Sequence, residues 1–298
     1  MSGVPEFDMM PTLRFFRFPW RHHLPVGLVL ISSVMAGCGY DTYRERLDRT
    51  KEYYANELRL NSILDPKWAG PGVSLRPPKK LMLQAPPLPR AWIEDAAKFE
   101  PVALDPRAPV SPHLPISGIV GAWTMDVSLD AAAADAMGKC YLFVLSNGDR
   151  FRYEDLGAPE KYFDDLEAAL MKTFSVAIIE NGRADQNNSR YEATIPATDK
   201  WGKSYKFRCV HFVADKPINK EIWNADLYEL PSLEVQDLQT AVLVMYPANA
   251  RERLNDHVKV ALETLDIEAS KPLRVVPPPK EGANPLLPGL PQSKPNAF

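Results

Sequence analysis

The chain has 298 residues, 35 basic against 38 acidic, and a net charge of −3 with an isoelectric point near 6.0. That balance excludes the cationic footprint of a nucleic-acid binder, and a hydrophobic content of 45% excludes a wholly disordered chain. The 29 prolines are clustered, so they mark extended segments rather than a diffuse bias.

Near the N-terminus, Arg14, Arg17 and Arg21 form a positive region, with His22 and His23 beside them. Residues 24–36 are uncharged and apolar or small. This run has the length of a signal-peptide core, about 7–15 residues, and falls short of the ~20 that a spanning helix needs. Pro25 and Gly27 weaken it further as a span. It ends in Val34-Met35-Ala36-Gly37-Cys38, which resembles the lipobox of bacterial lipoprotein precursors. The resemblance implies cleavage before Cys38, a diacylglycerol thioether on its sulfur, and acylation of the new N-terminus. Met35 stands where leucine is commonest in that family and keeps a long apolar side chain. An ordinary secretory signal and an uncleaved anchor are the competing readings. Glu6 and Asp8 are unusual so early in a signal, and a start at Met9 or Met10 removes them. Gly39, not aspartate, follows the cysteine, which in some bacteria directs a lipoprotein to the outer membrane. Two or more acyl chains anchor stably, without a basic patch.

Cleavage there makes residues 1–37 a signal peptide and 38–64 an anchor with a charged helix. Tyr43, Leu47, Thr50, Tyr54 and Leu58 recur at helical spacing behind Asp41, a plausible N-cap. The stripe is short and contains Thr50, which favours packing or a solvated stalk over a coiled coil. Residues 65–115 are punctuated by Pro77-Pro78, Pro86-Pro87, Pro89, Pro106 and Pro109. They read as an extended spacer, with a strand at 72–76 and a helical turn or two at 90–98.

Residues 116–268 read as an α+β domain, an antiparallel sheet flanked by helices. Strands are expected at 119–128 and 140–145. Asn147-Gly148 then suggests a type I′ hairpin returning through 150–153. Phe163, Leu166 and Leu170 line a helix over 159–173, followed by a strand at 174–179 and a polar loop at 181–189. A hairpin of 190–195 and 204–214, strands at 223–230 and 241–246, and a helix over 251–265 complete it. Leu254, Val258, Ala261, Leu262 and Leu265 share one face of that last helix. Residues 269–298 are a Pro-rich tail expected to be disordered.

The element order is similar to the PsbP-like α/β/α fold, through Val73-Ser74-Leu75-Arg76-Pro77-Pro78 and the strand 241–246 before the final helix. That resemblance implies an accessory role beside larger assemblies. The insert between Leu81 and Pro115 departs from it.

Chemistry-bearing residues are sparse. Cys140 and Cys209 either pair in an oxidising compartment or sit as small buried core residues, according to whether their strands adjoin. His113, His211 and His257 lack ligand spacing. Cys209 and His211 share a strand face that, with Cys140, would make a soft metal site; a core face with one satisfied histidine is the simpler account. No G-x-S-x-G elbow or phosphate-binding glycine loop is present. No catalytic, cofactor or metal residue is therefore assigned. Tyr205, Phe207 and Trp223 fit a core or a ligand-lining face, and Trp201, in an expected turn, suits a partner contact. The favoured function is a membrane-tethered, non-enzymatic interaction or accessory module of the cell envelope. Its expected contacts are membrane lipid through Cys38 and an envelope protein, with no nucleic acid. The alternative is a small-ligand-binding or hydrolytic envelope protein with a dispersed site.

Overall fold

A computed structural model describes residues 40–93, 98–100, 104–130, 136–231, 238–252, 254–268 and 275. Residues 1–39, with the expected signal peptide and Cys38, and, apart from Val275, the Pro-rich stretch beyond residue 268 lie outside the described residues. The chain divides into two compact units, one ending at Asn56 and the other starting at Glu57.

Helix α1 (Tyr40–Ile63) begins in the first unit. Over 40–55 its residues are exposed, and Arg49–Glu45 and Lys51–Asp48 ion pairs run along it. Its last turn belongs to the second unit, where Leu60 is buried.

The second unit is built on a seven-stranded antiparallel sheet. Its strands are β3 (Met82–Leu83), β6 (Ile119–Ser128), β7 (Met137–Ser146), β8 (Ser189–Ile195), β9 (Tyr205–Val213), β10 (Trp223–Leu230) and β11 (Thr240–Pro247). Their order in the sheet is β3-β6-β7-β11-β10-β9-β8. Alternation sends Trp123, Leu142, Cys209, Tyr228 and Val244 to one face and Phe143, Val210, Leu227 and Leu243 to the other. Both faces are covered. α4 (Leu254–Leu262) packs on the first, with Leu60, Leu64 and β2 (Val73–Leu75). β2 pairs with β1 (Trp68–Gly70) and β12 (Asp266–Ile267) in a small second sheet. α3 (Tyr162–Phe174) and the segment carrying Ala108, Leu114 and Ile116 cover the second face. The protein is thus α+β, an antiparallel sheet between helix-bearing layers.

Several local expectations give way. Residues 65–115 supply β1 to β3 and an antiparallel pair of β4 (Trp92–Ile93) and β5 (Lys98–Phe99), where strand rather than helix occupies the described ends of the segment expected to turn helically at 90–98. Phe99 meets Trp92 and Tyr153 edge to face there, with Arg90 over the Tyr153 ring. Asn147-Gly148 makes no hairpin. Asn147 precedes the short helix α2 (Gly148–Arg152), and its buried amide donates to Pro159 O and accepts from Gln239 N. Those bonds hold the end of β7 beside the start of β11, so the expected return strand at 150–153 has no edge to join. The strand expected at 174–179 is a loop: Ser175 ends α3 in the left-handed region, and only Ile179 bridges to Ser189. Gly118 is required where it stands, because it sits at φ +71° and a Cβ there would come 2.2 Å from Ser146 O.

Candidate functional site: a histidine–aspartate–tyrosine chain on the sheet

Strand register builds this site. Ser189, His211, Asp226 and Val244 are directly opposed on four adjacent strands, so their side chains share one face. His211 Nδ1 lies 2.6 Å from Asp226 Oδ1, and the Tyr246 hydroxyl donates to Asp226 Oδ2 at 2.9 Å. The carboxylate is an acceptor, which assigns an imidazole proton to Nδ1. The His211 side chain is 23% exposed and that of Asp226 9%, so the carboxylate is a buried orienting group and the ring reaches water. Burial, then the Asp226 charge, push the Tyr246 hydroxyl well above its ordinary range, so it remains a donor.

Ser189 occupies the place of a nucleophile in this row without acting as one. Its Oγ lies 2.8 Å from Arg183 O and 2.7 Å from Gln186 O, and the residue is fully buried. The 181–188 loop lies directly on it, since a Cβ on Gly182 would meet Ser189 Cβ at 2.2 Å. The row therefore holds an oriented histidine without an activated serine. On the same face, the buried Tyr228 hydroxyl and Asn224 Oδ1 have no hydrogen-bond partner among the described residues.

The opposite face carries a second polar cluster. Arg208 Nε donates to Glu229 at 2.5 Å, Arg190 donates to Glu167 at 2.5 Å and also to Glu180, and Arg208 lies 3.7 Å from Glu167. Glu229 is completely buried and Glu167 nearly so. Burial, then the Glu167 charge, push the Glu229 carboxyl up to about 8 against the pull of Arg208. This cluster ties α3 to β8, β9 and β10, with both acids hidden and the Arg190 and Arg208 side chains 21% and 35% exposed.

The residues singled out from sequence do not converge. Cys140 and Cys209 are free thiols on β7 and β9, three strand spacings apart, or roughly 14 Å. A disulfide needs Cα atoms within about 7 Å, so the expected alternative of a bridge is not made. Burial pushes each thiol up to about 12. The same separation parts Cys140 from Cys209 and His211, and no three His, Cys, Asp or Glu side chains among the described residues group to hold a metal. Tyr205, Phe207 and Trp223 are core residues. Trp201 is 41% exposed in the β8–β9 loop, with Lys200 Nζ 5.1 Å from its ring centroid. The loop follows the Ile195–Tyr205 pair, at the far end of the hairpin from Ser189 and His211.

The His211–Asp226–Tyr246 chain was missed in the sequence, though it left a signal. Asp226 stands in core phase with Tyr228 and Leu230 on a strand buried on both faces. A carboxylate there needs partners.

No protein-family model matches the chain, and no curated protein does.

Proposed function

We propose that this chain is an exported bacterial lipoprotein, held at the cell envelope by an acylated Cys38, whose folded unit serves as a non-enzymatic interaction or accessory module. The observation that carries the reading is Val34-Met35-Ala36-Gly37-Cys38 behind an uncharged run and three arginines. Tethering by acyl chains also accords with a chain in which no described helix is long and apolar enough to cross a membrane. Gly39 favours the outer membrane. Trp201, exposed at a loop tip, supplies the kind of aromatic that anchors a protein partner.

The test is labelled palmitate incorporation and co-purification from native membranes, wild type beside Cys38→Ser. The reading expects label and a stoichiometric partner with wild type, both lost in the variant. An unlabelled wild type that is soluble without detergent overturns the anchor. A labelled wild type that extracts alone overturns the adaptor role.

A second reading, a ligand-binding or hydrolytic envelope protein, draws on the partly exposed His211 held by Asp226. It expects a small envelope metabolite to raise the melting temperature of wild type and not of His211→Gln.

A further inference from the structure

We propose that the face of α1 bearing Tyr40, Tyr43, Leu47 and Tyr54 lies in the interface of a bilayer containing anionic lipid, with Arg44 and Lys51 on headgroup phosphates. The proposal rests on the lipid-anchor reading and specifies how the anchored chain meets the membrane.

At 100° per residue these four side chains fall on one stripe, about 21 Å long. Their exposures are 66%, 64%, 40% and 62%, so together they form one exposed aromatic and aliphatic stripe. Charge is segregated around the stripe. Arg44 and Lys51 border it, whereas Asp41, Glu45, Asp48 and Glu52 cluster on the other side. Lys51 touches Asp48 at 3.7 Å, but both side chains are more than half exposed, so the pair leaves the ammonium available. Tyrosine has an apolar body and a polar tip, which suits the headgroup boundary. The stripe also begins two residues after Cys38, so acyl chains there hold it at the bilayer from the outset.

The obvious competitor is the same stripe on a second copy. Charge opposes it in both orientations. Antiparallel pairing sets Arg44 and Lys51 against their own counterparts, and parallel pairing sets Lys51 against Arg46. Thr50 would also sit in the seam. An anionic surface meets the same cations favourably.

The experiment uses full-length, acylated protein extracted from native membranes, carrying Leu47→Cys or Glu45→Cys labelled with an environment-sensitive nitrobenzoxadiazole dye. Cys140 and Cys209 are buried and escape labelling, and the Cys38 sulfur is consumed by the lipid. Samples are reconstituted into phosphatidylcholine vesicles with or without one quarter phosphatidylglycerol. The proposal expects blue-shifted emission, several-fold brighter, for residue 47 on the anionic vesicles only. It expects little change for residue 45, and loss of the signal in an Arg44→Glu/Lys51→Glu background. Equal emission from 47 and 45 overturns it. A signal at 47 that appears in detergent and grows with protein concentration assigns the stripe to a second copy and also overturns it. Vesicle flotation separates the two readings: protein that floats but shows no shift at 47 fails this proposal alone, and protein that does not float fails the anchor as well.

Discussion

Asp226 and His211 face each other across neighbouring strands, with 2.6 Å between Oδ1 and Nδ1, while the second carboxylate oxygen takes the Tyr246 hydroxyl. One buried acid thus satisfies two side chains from the strands on either side of it. Replacing Asp226 with alanine strands both partners, at a cost of roughly 2–3 kcal/mol. The urea midpoint should fall accordingly, and the Nδ1–H imidazole signal of wild type should disappear from nitrogen-detected NMR. A loss below about 1 kcal/mol would mean that water replaces the carboxylate.

Glu229 makes stability depend on pH. Its carboxyl is raised from 4.5 to about 8 in the folded protein, so the native state holds a proton that the unfolded chain releases. The contribution is fully present below pH 4.5 and is lost as pH rises through about 8. Glu229→Gln fixes the neutral form and should flatten that decline. Urea midpoints for both proteins across this range check it, and parallel curves would assign the slope to other groups.

Cys140 and Cys209 should be silent in the native state. Both are buried with thiols pushed up to about 12, so neither should react with a disulfide reagent at pH 8, and both should react in guanidinium. Native and reduced samples should migrate alike on gels. Rapid native labelling of either thiol would contradict their burial.

Asn147 should behave as a structural clasp. Asn147→Ala removes the acceptor for Gln239 N and the donor to Pro159 O at a buried position, and should cost about 1–3 kcal/mol by thermal denaturation. Asn147→Asp keeps the acceptor for Gln239 N and should be milder near pH 4 than at pH 7, where a buried charge is added.

The long strands and helices were legible in the sequence because their apolar period runs over many residues. Residues 119–128 and 223–230 match β6 and β10 end for end, and the β8–β9 hairpin falls where alternation put it. Of the two- and three-residue strands, only β2 falls where one was expected, at 72–76; β1, β3, β4 and β5 lie below any period, which is why residues 65–115 looked like a spacer although Val73 and Leu75 are core. Asn147-Gly148 carried a strong local turn preference that lost to long-range bonds from its own side chain. The polar chain on the sheet was illegible for a related reason. His211 and Asp226 are 15 residues apart, and only the pairing register of the β9–β10 hairpin makes them neighbours.

That strand order has a consequence for how the molecule comes into being. β8, β9, β10 and β11 form one meander, while β6 and β7 form another ribbon, and β11 is the strip that joins them. Residues 241–245 are buried on both sides, so until this stretch is in place the two halves share no seam. Pairing across the whole sheet therefore waits on residues 240–247, the latch that closes the body once both ribbons have formed.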